Sequence, residues 1–250
     1  GTSVEHGWSQ GKYAVYVAGE YDREDGWRDF SPSRIGRLFT KGSYLDQGTS
    51  VDLSISLADN RLTGNGAAPV ALLARDGRAR VFTHPDLTEP RLGAVNLQAS
   101  HAFSEHLSWS GGVAFRRNYS KSLNGDGTEY EACAEPGNVD GDGNAFLCEQ
   151  NEDGEEVLTT PDGNPIVAGE SNDSATLTPS STAPPAYSLR TQLVFPGSKQ
   201  RDRITVGGTA EFGRVRFASQ TEVGALTEDR GAEGSGEEVV DSFVRLRTRK

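Results

Sequence analysis

Two cysteines, four scattered histidines and an acid-rich run are where this 250-residue chain carries its most reactive side chains. Cys133 and Cys148 stand 15 positions apart. Two thiolates are too few for a zinc site without histidine help, and no histidine lies near them. In an exported protein the pair would close a loop as one disulfide; two free thiols are the alternative. The run Asp140-Gly141-Asp142-Gly143-Asn144, followed by Glu149, Glu152, Asp153, Glu155 and Glu156, sets oxygen ligands at alternating positions, as a calcium loop does. Yet Ala145 stands where an EF-hand needs Gly, Asn151 falls at its twelfth position, and no helices are expected on either side. The expectation is a solvated acidic loop. His6, His84, His101 and His106 show no H-x-x-x-H spacing, and Gly-x-Ser-x-Gly, Walker A and a strand-following Gly-x-Gly-x-x-Gly are absent. The glycines of Gly231 to Gly236 have no phosphate-loop lysine beside them. No catalytic, cofactor-binding or metal-ligating residues are therefore assigned, no cofactor is expected, and the chain is not read as an enzyme.

What such a chain could be instead follows from its bulk. Hydrophobic residues make up 34%, Gly accounts for 30 positions and Met for none. Low apolar content fits disorder, or strands with one apolar and one polar face joined by long polar loops. No run of 18 apolar residues exists, so a transmembrane helix is excluded. The opening GTSVEHGWSQGKY has no export signal, so any targeting segment is expected outside this chain. Residues 120–186 hold fourteen Asp/Glu and one Lys, which exceeds the whole-chain net charge of -11 and leaves the remainder near neutral. With no basic stripe interleaved with aromatics, no nucleic-acid partner is expected.

Period-two alternation decides for strands. Tyr13, Val15, Val17 and Tyr21 oppose Lys12, Ala14, Tyr16, Ala18 and Glu20; Val51, Leu53, Ile55 and Leu57 oppose Asp52, Ser54, Ser56 and Ala58. Val95, Leu97 and Ala99 follow, then Leu107, Trp109, Gly111, Val113, Phe115 and Tyr119, then Tyr187, Leu189, Leu193 and Phe195. Ile204, Val206, Ala210 and Phe212 oppose Arg203, Thr205, Thr209 and Glu211, and weaker strands are predicted over 35–44 and 240–249, with 1–7 completing another. The connections alternate short (8–11, 45–50, 103–106, 197–202) and long (22–34, 60–91, 120–186, 214–239) across nine strands. That is the signature of an up-and-down barrel with tight turns on one rim and large loops on the other. Aromatics near strand ends, such as Tyr13, Tyr44, Tyr119 and Phe195, suit a membrane interface. A sheet in lipid must close, and nine strands cut at both ends read as a contiguous part of a larger barrel.

The segment Arg23-Glu24-Asp25-Gly26-Trp27-Arg28-Asp29-Phe30-Ser31-Pro32-Ser33 resembles an extracellular loop of a TonB-dependent receptor. In order behind it come Leu57-Ala58-Asp59-Asn60-Arg61-Leu62-Thr63-Gly64-Asn65-Gly66, Val81-Phe82-Thr83-His84-Pro85-Asp86, Phe115-Arg116-Arg117-Asn118 and Leu123-Asn124-Gly125-Asp126-Gly127. Together they are similar to early and middle barrel strands of that family, across nearly the whole chain. The resemblance implies a 22-stranded barrel occluded by a plug domain in the bacterial outer membrane. Such receptors import scarce bulky solutes (ferric siderophores, cobalamin, haem, glycans), coupled to an inner-membrane TonB complex. The chain shows no plug, no TonB-contacting segment and no final strands, so its implied partners are outer-membrane lipid, those missing parts of the parent protein, and the solute.

Within that reading, loops 60–91 and 120–186 are expected to take part in solute capture, and the acidic one favours a neutral, cationic or metal-compensated solute. Trp27, Arg28, Phe30 and Arg34 either stack on a ligand ring or sugar or pack their loop onto the rim or against the plug. Lys12, Glu20, Asp52, Arg116, Arg190, Arg203 and Glu211 are expected on the lumen face, paired with one another or with the plug. A passive porin or adhesion barrel is the alternative. A secreted all-β binding module is another, and it requires Leu53, Ile55, Val113 and Phe115 to be buried against a second sheet.

Overall fold

The computed structural model describes residues 1–151, 154–196 and 202–249, the side chains of 240–243 and 247–249 excepted. Its alternating segments settle as a nine-lane antiparallel meander. Gly11, with φ 56°, turns β1 (Thr2–Gln10) into β2 (Tyr13–Glu24). Gln47 and Gly48, at φ 35° and 81°, turn β3 (Ser33–Asp46) into β4 (Thr49–Thr63). Two successive left-handed residues match the natural strand twist of a two-residue hairpin. Glu105-His106 joins β5 (Asp86–Ser104) to β6 (Leu107–Gly127), with the His106 N–H donating to Ser104 Oγ at 3.2 Å. Of the fourth short connection, residues 197–201 lie outside the described residues.

Between β6 and the next lane a separate three-stranded sheet forms from β7 (Glu131–Ala132), β8 (Leu147–Asn151) and β9 (Gly154–Val157). The chain then returns as β10 (Ala175–Thr182) and β11 (Pro185–Pro196), which share one lane between β6 and β12 (Arg203–Leu226) in unbroken register. The lane is interrupted only at Ala183-Pro184, where proline has no N–H for the ladder. Strand β13 (Ala232–Arg249) completes the sheet against β12. The all-β antiparallel expectation therefore holds, lane for lane.

The strands are longer than the alternation suggested. Residues 214–239, expected as a loop, instead continue β12 to Leu226 and begin β13 at Ala232, leaving only 227–231 as a turn. Likewise β5 starts at Asp86, β6 runs to Gly127 and β10 starts at Ala175, all inside segments expected as loops. Along β12 the pattern does not stop; its phase inverts. Below Phe212 the apolar side chains share a face with Ile204 and Val206, whereas above it that face carries Arg214, Arg216 and Gln220, and the opposite face carries Val215, Phe217 and Val223. A scan for one apolar face ends where the surroundings of that face change.

Adjacent glycines in β12 face opposite constraints. A Cβ on Gly207 would lie 2.7 Å from the Thr191 carbonyl oxygen, while one on Gly208 would meet nothing within 4 Å. Neither adopts a positive φ. Gly207→Ala is therefore expected to cost about 1–3 kcal/mol through backbone displacement, and Gly208→Ala to change stability by no more than about 0.5 kcal/mol. Chemical unfolding of the two variants in detergent checks the contrast.

Candidate functional site

Because paired residues in an antiparallel sheet share a face, the register sorts every lane into two surfaces. One row runs Val15, Gly42, Leu53, Leu97, Val113, Leu189, Ala210, and the next runs Val17, Thr40, Ile55, Val95, Phe115, Tyr187, Phe212. All the apolar sequence faces thus fall on one surface. That surface is open: Ile204 is 66% exposed, Leu189 50%, Val113 48% and Leu53 43%. Among the described residues no second sheet covers it, so the burial that a secreted all-β binding module requires of Leu53 and Val113 is not found. Withdrawing one large apolar side chain from water gains about 1.5–3 kcal/mol, so an uncovered band of this extent calls for a non-aqueous neighbour. Its height is nine residues on β2 (Tyr13–Tyr21), on β11 (Tyr187–Phe195) and on β12 (Ile204–Phe212). Near its edges tyrosines meet, as Tyr13 and Tyr44 do at 5.3 Å between ring centroids. Trp109 lies across Gly111, where a Cβ would come within 2.8 Å of its ring, and donates from Nε1 to Thr191 Oγ1 at 2.8 Å.

The opposite surface is polar. Glu20 pairs with Arg37 at 3.5 Å and Asp52 with Lys41 at 3.1 Å, while Lys12 pairs with Asp46 beside the tight turns. These partners, Arg37, Lys41 and Asp46, were not singled out in the sequence, because cross-strand pairing depends on register. Arg116, Arg190, Arg203 and Glu211 form no ion pair among the described residues, and Arg190 and Glu211 line one hollow of about 240 Å³ with Gln98 and Thr209. A larger concavity of about 900 Å³ on this side reaches from Ser3 on β1 across Arg37 and Leu92 to Pro184, so the sheet curls with its polar face inward.

On the rim opposite the tight turns, the loops are folded. Arg28 does not wait for a ligand ring: its Nη1 donates to the carbonyls of Asn65 (3.1 Å) and Gly66 (2.8 Å), and its Nη2 to that of Arg80 (3.1 Å). It clamps the loop of residues 25–32 onto the 64–85 connection, which carries the short helix α1 (Val70–Asp76). The Asp29–Arg80 ion pair at 3.6 Å reinforces the clamp. Phe30 stacks on His84 at 3.9 Å, and His84 Nε2 lies 3.7 Å from Asp229, so three connections meet there. Arg34 is drawn to Asp59 at 3.9 Å on the outward face. Trp27 is the more exposed of the loop's two rings, at 72%, with the Arg28 guanidinium 5.7 Å from its centroid. The histidines do not assemble: His6 stands on β1, His106 in a turn, and His101 Nδ1 is 2.7 Å from Thr49 Oγ1.

The acidic connection is a small folded unit. Cys133 and Cys148 are joined as a disulfide with Cα atoms 5.1 Å apart. Leu147, Leu158 and Ile166 bury against Val223 of β12, and buried Asn172 ties Val167 to Glu237 of β13 at 2.9 and 2.8 Å. The alternating oxygens of Asp140–Asn144 form a turn: Asp140 accepts from the Asp142 and Asn144 N–H groups at 2.9 and 2.8 Å and from Asn144 Nδ2 at 2.9 Å, with Gly143 at φ 85°. Those internal donors hold the Asp140 carboxyl below the usual aspartate range. Thr160–Asn164 repeats the same turn with Gly163 at φ 84°. Glu152 and Asp153 lie outside the described residues. Glu155, named in the sequence only as one of the acidic run, has a structural role instead: its carboxylate accepts from the Ala134 and Glu135 N–H groups at 2.9 to 3.1 Å. Those backbone donors depress its pKa below the ordinary glutamate value.

No protein-family model matches the chain, and no curated protein matches it. Among solved structures, the ferric-catecholate import receptor Fiu from E. coli K12, in its open form, is similar at a TM-score of 0.45 and 10% identity. The alignment covers 99% of this chain and 48% of that one, so the chain spans about half the length of that structure. A likeness of that size decides nothing about function.

Truncating the clamp, Arg28→Ala, is expected to free the 64–85 connection at a cost of about 1.5–3 kcal/mol, read as faster proteolysis there. Arg28→Lys recovers only part, because an ammonium cannot reproduce the planar fork. For Glu155, bonding to the ionised form stabilises the fold above the ordinary glutamate value and is lost as pH falls through the depressed one. Amide protection at Ala134 and Glu135 is expected to fall over that acid range, and to be weak already at neutral pH in Glu155→Gln.

Proposed function

We propose that this chain is a stretch of the wall of an outer-membrane β-barrel, with its apolar surface in lipid and its polar surface lining the lumen. The observation that carries this is the uncovered apolar band, continuous across the lanes. Nine residues at about 3.3 Å each span about 30 Å along a strand, or about 23 Å across a bilayer at a tilt of about 40°. That height fits the apolar belt of such barrels. The ladder satisfies backbone groups within the sheet, as lipid demands, and β1 and β13, each paired on one side among the described residues, leave room for further strands to close it. Connections 25–32, 64–85, 128–174 and 227–231 then face the outside, and the tight turns the periplasm.

Within that frame the resemblance of the loop and strand segments to TonB-dependent receptors gives the finer reading. The parent protein imports a scarce bulky solute, such as a ferric siderophore, past a plug that seats on the polar surface, with energy from the inner-membrane TonB complex. Arg116, Arg190, Arg203 and Glu211, which form no ion pair among the described residues, are lumen residues available to hold that plug. The chain has no catalytic part in this. The carboxylates of the 128–174 unit favour a neutral, cationic or metal-compensated solute.

Single cysteines introduced at Gly141, Gln47 and Leu53, in cells expressing the protein, test the topology. A membrane-impermeant maleimide is expected to label Gly141→Cys on intact cells and Gln47→Cys only after permeabilisation. Leu53→Cys should stay unlabelled until the protein is denatured. Labelling of Gln47→Cys from outside, or of Leu53→Cys in the folded state, overturns the reading.

A further inference from the structure

Immediately above the apolar band, on the same outward surface and on the loop side, the side chains become basic. Arg23, Arg34 and Arg61 are direct neighbours across three strands, so their side chains leave the sheet side by side. In the rows below, Arg91, Arg117, Arg214 and Arg216 take the same outward face, and Lys121 continues the row of Arg23. The boundary steps down across the sheet: the row that holds Arg23 on β2 reaches Lys121 on β6 and Ala218 on β12, whereas the first basic residue is already Arg117 on β6 and Arg214 on β12. A belt that slants in residue rows is level with the bilayer when the strands are tilted.

Like charges directly opposite one another on a sheet are destabilising. Among the described residues, two outward carboxylates pair with this belt: Asp59, 3.9 Å from Arg34 and 3.3 Å from Arg91, and Glu89, 3.5 Å from Arg61. Arg23, Arg117 and Arg216 are exposed and form no ion pair among the described residues. In a chain whose net charge is -11, this is where cations concentrate, at the height where hydrocarbon gives way to headgroups.

We propose that this belt binds the phosphate groups of anionic lipid headgroups in the leaflet on the loop side, which rests on the lipid-facing reading of the band beneath it. Guanidinium groups in a row match phosphate oxygens by paired N–H donation, and basic residues at a membrane surface attract anionic lipid additively.

The test uses the whole protein, with Trp27→Phe so that Trp8 and Trp109, both on the band, report alone. In detergent mixed with phosphatidylglycerol and phosphatidylcholine, native mass spectrometry is expected to show preferential retention of phosphatidylglycerol that weakens with salt. Arg23→Gln/Arg117→Gln/Arg216→Gln should lower that preference by about tenfold or more. The same charge change on the inward face, Arg116→Gln/Arg190→Gln/Arg203→Gln, should leave it unchanged. No preference, equal loss in both triple variants, or full displacement by millimolar inorganic phosphate overturns the headgroup site. In vesicles with brominated acyl chains, the tryptophan emission separates the two readings. Quenching without headgroup preference sinks the belt alone, and absence of quenching sinks the lipid-facing band as well.

Discussion

An antiparallel ladder puts opposed residues on one face, and in this molecule that rule has no margin. A slip of one residue between any two lanes would carry every apolar side chain beyond it to the polar surface. The register is pinned at the tight turns, where Gly11 and Gly48 adopt positive φ that residues with a Cβ resist, and Gln47 beside Gly48 follows at φ 35°. It is pinned again inside the sheet by close approaches at Gly112 and Gly207, where a Cβ would strike the backbone of the neighbouring strand. From that alignment follow the apolar band, the curl toward the polar side and the cross-strand ion pairs.

The two rims are built from different physics. On one side, the three connections that are fully described are two residues long and carry little besides a turn. On the other, the chain compensates for its distance from the main sheet with small local devices. These are a disulfide, a guanidinium clamp on three carbonyls, a ring stack between Phe30 and His84, and a four-residue apolar cluster seated on Val223. Nearly all deeply buried residues of the described structure belong to this rim, around β8 and the upper half of β12. The core of this protein is therefore in its loops, and the main sheet has two surfaces in place of an interior.

Polarity on the outward face changes in a definite order: apolar rows, then a basic belt, then, on β12, Gln220 and Glu222. On the inward face of β12 the order is reversed, from Arg203, Thr205, Thr209 and Glu211 to Val215, Phe217 and Val223. One strand thus reads as two amphipathic segments of opposite phase: on the proposed reading the lower one meets lipid and lumen water, and the upper one meets outside water and the packed acidic unit.

The sequence by itself determined where the membrane-height part of each long strand lies on the proposed reading, which face of it is apolar, and where the tight turns fall, because period-two alternation and turn chemistry are local. It also placed the two cysteines within one connection but left their pairing open, since spacing does not report distance. Tertiary structure alone decided the rest. The strand ends above Phe212, Phe115 and Leu57 were hidden because the apolar phase weakens or inverts there. The partners of Glu20, Asp52 and Lys12 were hidden because register belongs to two strands and not to one. Arg28, which the sequence offered as a ligand-stacking group or as loop packing, became a clamp because carbonyls 37 to 52 residues away came within reach. The basic belt is the plainest case: its arginines are scattered over nearly 200 positions of sequence and share a belt only because the seven lanes from β2 to β12 lie in register.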